Sequence, residues 1–327
     1  MSLIQHGHGV NPGHGHTKYV QVKDKGESTS IVFPSLIAPA GDRVVGALRT
    51  IEPIRVGEHS WWVGDDALFA PNPRSDLSQS RLDDPVFIPA LVRKAWQCLG
   101  TPTAPRGYYV SGLPAAWAAD MEQCKRLAHR LRHAGVHPDD RIRIIAEPLG
   151  LIYSLLLDHH GERTDDLIHY GRIGVVDFGH NTLDIIVVQG EIPLAATMET
   201  YALGTAGPLA KIRARINATY DLALSLYETD LAVRRGHVTV SGRERPLPAG
   251  WETPIAATGD DAANQLAEVW KSGANLDLIV VGGGGAALEP LVAATLARFP
   301  QAERVPDGQM AIARGYAHLA RRLARGL

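Results

Sequence analysis

The chain has 327 residues, too many for one small core and enough for about two domains. Its 45% hydrophobic and 21% charged content is that of an ordinary globular protein, and a formal charge of −2 provides no basic field for holding nucleic acid directly. Two cysteines, Cys98 and Cys124, give no disulfide framework; no apolar run reaches bilayer length and no signal-peptide pattern opens the chain, so a cytoplasmic protein without a membrane partner is expected.

In chain order, strand-like runs alternate with helical ones, the pattern of an α/β protein. A hairpin is expected over residues 10–22 and a strand over 31–37. Residues 57–67, with Trp61 and Val63, predict a β-rich insertion, and 71–85 a loop. Ile88, Leu91, Val92, Ala95 and Leu99 recur at helical spacing. A strand at 108–110 precedes a helix over 118–134 with a basic exposed side, and a strand over 141–146 delivers Glu147. Charged and glycine residues over 161–172 mark a boundary. The second half starts at Ile173 and continues with a helix over 209–227, a β insertion over 236–254 and a helix over 262–271. The strand and glycine turn at 278–285 follow, then helices over 288–299 and 310–325.

One motif is written twice. Asn11-Pro12-Gly13-His14-Gly15-His16-Thr17-Lys18 and Asp177-Phe178-Gly179-His180-Asn181-Thr182 each place a short polar side chain two residues before a glycine, with a strand following. Such turns can aim backbone N–H groups at an anion, and Lys18 adds a positive charge. Asp177 ends the apolar run Val175-Val176, where a carboxylate is costly unless a partner or a turn role compensates. Glu147 precedes Pro148 at an expected helix start, where a carboxylate is also favoured by the helix dipole. Gly282, Gly283, Gly284 and Gly285 suit close backbone approach to a ligand. Lys211, Arg215, Arg234 and Arg235 are candidate ligand contacts or a solvated helix face. His6, His8, His14 and His16 invite a metal reading, but no cysteine or carboxylate completes a set; Trp61-Trp62 reads as core or subunit interface. No Walker-type loop occurs.

These segments resemble, in the same order, bacterial actin-like proteins of the ParM/StbA plasmid-segregation type. The resemblance extends through Phe33-Pro34-Ser35, Tyr109-Val110-Ser111-Gly112-Leu113-Pro114, Ala146-Glu147-Pro148-Leu149-Gly150, Leu278-Ile279-Val280-Val281-Gly282 and Gln309-Met310-Ala311-Ile312-Ala313-Arg314-Gly315-Tyr316. It implies a two-lobed actin-like ATPase fold of duplicated ribonuclease H-like domains with small outer subdomains. The first lobe would span 1–165 with helix 310–327 packing back onto it, and the second 166–309. It implies ATP and magnesium between the lobes, with both hairpins on the phosphates, Asp177 at the metal's water shell and Glu147 positioning the hydrolytic water. The glycine turn would hold adenosine, with Lys211, Arg215 and Arg234 as candidate adenine or ribose contacts. Where the family's first hairpin opens with aspartate this chain has Asn11, a neutral metal-site residue, which puts magnesium dependence and hydrolysis in question. The implied function is assembly into ATP-dependent filaments that act on plasmid DNA through an adaptor protein. A small-molecule kinase of the same superfamily and a non-polymerising nucleotide-sensing scaffold are the alternatives.

Overall fold

A computed structural model describes residues 6–41, 44–45, 50–101, 103–164 and 170–327. The chain divides into two compact units, Met1–His169 with Met310–Leu327, and Tyr170–Gln309. The boundary expected at 165/166 lies outside the described residues.

In the first unit, β1 (Gly7–Pro12), β2 (His16–Val22) and β3 (Ser28–Pro34) form an antiparallel meander. After the short strands β4 (Ile37–Pro39), β5 (Val44–Val45), β6 (Thr50–Ile51), β7 (Ile54–Val56) and β8 (His59–Val63), the chain adds β9 (Tyr108–Leu113) and β10 (Arg141–Ala146) parallel to β1. The sheet order is β10-β9-β1-β2-β3. One face carries Val10, Tyr19, Tyr109 and Leu113 into a core with helix α1 (Phe87–Cys98), whose Ile88, Leu91, Val92 and Ala95 are buried as their spacing predicts. The other face is covered by the C-terminal helix Gly308–Arg325. There the contact is so close that a Cβ on Gly9 would sit 2.0 Å from the Ala313 carbonyl oxygen.

Several expectations are corrected here. The strand expected over 31–37 is two, interrupted at Ser35. The 57–67 insertion is a three-stranded sheet β4-β8-β7 followed by a 3-10 helix, Gly64–Phe69. The 71–85 loop contains a 3-10 turn, Gln79–Leu82, with Arg81 and Leu82 buried. The helix expected over 118–134 is α2 (Ala115–Ala118) and α3 (Met121–Ala134), because the Asp120 side chain accepts the Glu122 N–H and starts a new helix. Helix α4 (Glu147–Leu156) follows β10 directly.

The second unit repeats the plan. β11 (Arg172–Phe178) and β12 (Leu183–Gln189) form a hairpin extended by β13 (Ile192–Pro193) and β14 (Glu199–Tyr201). After the hairpin of β15 (His237–Val240) and β16 (Arg243–Pro246), β17 (Leu278–Gly282) and β18 (Ala302–Arg304) lie parallel to β11 on its other side. The helix expected over 209–227 is α5 (Ala206–Tyr220) and α6 (Leu226–Arg235): Asp221 turns left-handed at φ 52°, and Ser225 with Glu228 forms a capping box. The helix expected over 262–271 begins earlier, as α7 (Thr253–Trp270), which shortens the 236–254 insertion to one hairpin. Helix α8 (Glu289–Arg298) packs on α7. No helix among the described residues is long and apolar enough to cross a membrane.

Candidate functional site

The first hairpin is held open by neighbours rather than by its own turn. Ser35, at the break between β3 and β4, donates from Oγ to the Gly13 carbonyl at 2.6 Å, bonds Thr17 Oγ1 at 2.9 Å, and gives its N–H to Gly15 at 2.9 Å. Asn11 and Lys18 are cross-strand partners, and their side chains converge on Gly13: a Cβ there would lie 3.0 Å from Asn11 Oδ1 and 3.1 Å from Lys18 Nζ. Asn11 is buried, and its Oδ1 has no hydrogen-bond partner among the described residues. His14 is buried edge-on to Trp117 at 5.9 Å, so it serves packing at the tip, while Gly15 and His16 complete the turn. Arg81, 2% exposed, donates from Nη2 to the Pro12 carbonyl. Glu147 is half-buried as the first residue of α4, where the helix dipole favours a carboxylate.

In the second hairpin, Asp177 and Asp184 occupy the register positions that Asn11 and Lys18 occupy in the first. Both are buried, and a carboxylate oxygen of each lies within 4.8 Å of the other. Thr182 and Thr200 hydroxyls each donate to Asp184 at 2.6 Å, which fixes that carboxylate and satisfies it inside the sheet. The turn closes with the Gly179 N–H on the Thr182 carbonyl at 2.8 Å. Its carbonyls at 179 and 180 accept the Thr205 and Ala206 N–H groups at the start of α5, at 3.2 and 2.7 Å, and His180 Nδ1 meets Thr205 Oγ1 at 3.1 Å. Asn181 remains at the tip, half-buried. The end of β17 closes over Asp177: Gly283 has φ +88°, and a Cβ there would stand 2.1 Å from Asp177 Oδ1.

Residues 9–150 match the family model for the actin-like protein N-terminal domain. The fold is that of actin-like proteins. Solved structures agree on the fold across nearly the whole length. An archaeal actin homolog in complex with ADP is 15% identical with a TM-score of 0.72, covering 98% of this chain and 99% of that one. A 15-stranded ParM filament from Clostridium botulinum is 17% identical with a TM-score of 0.71 and the same coverage. Bacillus thuringiensis ParM with ATP is 13% identical with a TM-score of 0.64, again covering 98% and 99%. A comparison with curated protein sequences gives no match.

The remaining candidates divide by role. Arg234 is bound to Asp230 at 3.0 Å and donates to the Gly284 carbonyl at 3.1 Å, so it braces the glycine turn from α6. Arg215 donates to the Gly250 carbonyl at 2.8 Å, and Lys211 and Arg235 are exposed. Gly285 would carry a Cβ 2.9 Å from the Phe178 carbonyl, so internal packing explains it and Gly283 without a ligand, whereas Gly284 has only Gln309 within 4 Å. Gly282 ends β17 opposite Asp177. The metal reading of the histidines gains no support: His8 lies between Tyr19 Oη and the Arg106 carbonyl, and among the described residues the histidines form no metal-binding group. Trp61 packs against the first core under the Arg74 guanidinium, 5.6 Å from its ring centre. Three residues escape sequence reasoning: Ser35's link to the hairpin, Arg81 and Asp184. Only Asp184 leaves a signal, a carboxylate set among Leu183, Ile185 and Ile186.

Proposed function

We propose that this protein belongs to the actin-like ATPases, binds ATP with magnesium, hydrolyses it, and assembles into nucleotide-dependent filaments in the cytoplasm that act on plasmid DNA through a separate adaptor. The observation that carries the reading is the repeated hairpin, one copy with an amide and a lysine at its mouth, the other with two buried carboxylates at the same register. Similar structures, solved with ADP, with ATP and as a filament, support nucleotide binding and assembly.

The donor chemistry fits magnesium: hard carboxylate oxygens of Asp177 and Asp184 suit a hard cation that keeps much of its water shell. Bound there, magnesium would neutralise charge on the terminal phosphates. Lys18 would attract the phosphates and the Gly13 and Gly179 turns would offer backbone N–H groups. Glu147 would orient the attacking water, since phosphoryl transfer depends on positioning more than on proton removal.

Electron microscopy and light scattering of the purified protein with ATP, ADP and a non-hydrolysable analogue test this. Filaments should form with ATP and the analogue and disassemble with ADP. Nucleotide binding without any assembly would reduce the protein to a nucleotide-dependent switch, and no nucleotide binding would end the reading altogether.

A further inference from the structure

The two hairpins differ in charge at equivalent positions, and the first has a buried cation that the repeat lacks among the described residues. The Gln79–Leu82 turn places Arg81 under the first hairpin, 2% exposed, with Nη2 on the Pro12 carbonyl. Its Nε and Nη1 are buried and have no hydrogen-bond partner among the described residues. Such donors cost free energy unless something fills them. Burial works against the guanidinium's charge, and the nearby carboxylates of Glu147 and Asp76 favour it. Asn11 Oδ1, also buried and unpartnered among the described residues, stands at the same hairpin. A carboxylate at position 11 would be the natural counterion for these cations, and the chain has an amide instead. The local balance therefore leaves room for an anion arriving from outside: two idle guanidinium donors, the Lys18 ammonium and no carboxylate at position 11, with Glu147 and Asp76 nearby but not hydrogen-bonded to those donors.

We propose that Arg81 is a phosphate ligand of the first hairpin, reading the terminal phosphate of ATP directly. The proposal rests on the ATP reading above. Position 11 no longer holds metal-bound water through a charge, and the guanidinium grips phosphate oxygens in its place. A planar fork with two free N–H directions suits that task better than an ammonium does. Placement beside Glu147 selects the terminal phosphate, where the attacking water must stand. The division of labour follows: the first hairpin recognises the phosphate, and the second, with Asp177 and Asp184, holds the metal.

Titration calorimetry with ATP and ADP, in magnesium and in EDTA, tests this on the parent chain, Arg81→Met and Arg81→Lys. Methionine keeps the volume and removes the charge. The parent should retain ATP binding in EDTA. Arg81→Met should lose tenfold or more in ATP affinity with ADP changed less than threefold, and Arg81→Lys should fall between. Equal losses for ATP and ADP would show a residue that merely braces Pro12, and would overturn the proposal while leaving ATP binding intact. A parent that binds no nucleotide would remove the ATP reading as well. Should Arg81→Met fail to fold, the lysine variant decides: an ATP-to-ADP ratio equal to the parent's overturns the inference.

Discussion

Acidification should unfold this protein through two histidines that the first unit holds neutral. His8 is fully buried, stacked on Tyr109 at 4.4 Å, with Nδ1 2.9 Å from Tyr19 Oη and Nε2 3.1 Å from the Arg106 carbonyl. A neutral ring satisfies both partners, accepting from the tyrosine and donating to the carbonyl. Burial lowers its pKa from 6.5 to about 4; the Arg106 carbonyl opposes this, and His6 adds to it. His318, on the C-terminal helix, has Nδ1 2.7 Å from the Leu157 carbonyl. Burial again lowers its pKa to about 4, with Leu157 and Asp158 opposing and Arg314 and His159 assisting. Both folded-state values lie below the unfolded one, so the unfolded chain binds more protons across the interval. Stability is therefore full above about pH 6.5 and is lost as pH falls from there toward 4. Each histidine removes about 1.4 kcal/mol per pH unit in that window, or about 3 kcal/mol across it. The pair is comparable to a typical domain's whole stability, about 5–15 kcal/mol. Urea unfolding followed by circular dichroism at pH 7.5, 6.5 and 5.5 should give a free energy about 2–3 kcal/mol lower at the acid end. His318→Gln should roughly halve that slope whatever it does to stability at pH 7.5. A flat profile, or an unchanged slope in the variant, would refute the reasoning.

Removing the metal-side carboxylate, Asp177→Ala, should weaken magnesium–ATP binding by roughly 10- to 100-fold, the range expected for hydrogen bonds to a charged group. Calorimetry showing parental affinity would dismiss Asp177 from the site. Glu147→Ala should bind ATP nearly as the parent does but hydrolyse it roughly 100-fold more slowly, leaving longer-lived filaments; phosphate release at the parental rate would return Glu147 to a helix-start role. Asn11→Asp should lower the magnesium needed for turnover by about tenfold, equivalent to about 1.4 kcal/mol, and coincident magnesium titrations would contradict this. Gly9→Ala drives a methyl into the Ala313 carbonyl and should cost about 3 kcal/mol in thermal or urea unfolding. An unchanged melting temperature would mean that the C-terminal helix yields.

Both hairpins are legible because their tips concentrate glycine, asparagine, histidine and threonine between apolar alternations. The same is true of β10 leading into Glu147 and of the 278–282 strand. Helix ends are less so. Leu222, Leu224 and Leu226 keep apolar residues coming across the gap between α5 and α6, so periodicity runs through a stop written only in Asp221 and the Ser225–Glu228 box. The start of α7 is hidden for the opposite reason. Its early turns use small residues, and Gly259 packs against the Leu291 backbone, where a Cβ would come within 2.4 Å of the carbonyl oxygen. Within the site, Asp184 is recoverable from the strand pattern once the register with Asp177 is known. Arg81 is not: it lies in a polar stretch, and its partner Pro12 is 69 residues away.

The C-terminal helix belongs to the unit that the first half of the chain builds, and its seat there is cut to fit. Gly150 on α4 and Gly315 on this helix meet so closely that a Cβ on Gly315 would come 1.9 Å from the Gly150 carbonyl oxygen. During vectorial synthesis the ribosome releases β1, β9 and α4 long before residues 310–327. At about 5–20 residues per second, the wait while the second unit emerges is roughly seven to thirty seconds. Through that interval the nascent first unit would lack the helix that covers Gly9 and Gly150, and the second unit could complete itself in the meantime. A segment made after the second unit is thus the clasp of the unit made before it. A truncated translation product ending before residue 310 would carry a finished second unit attached to an unfinished first one, and would be a natural target for chaperones and proteases.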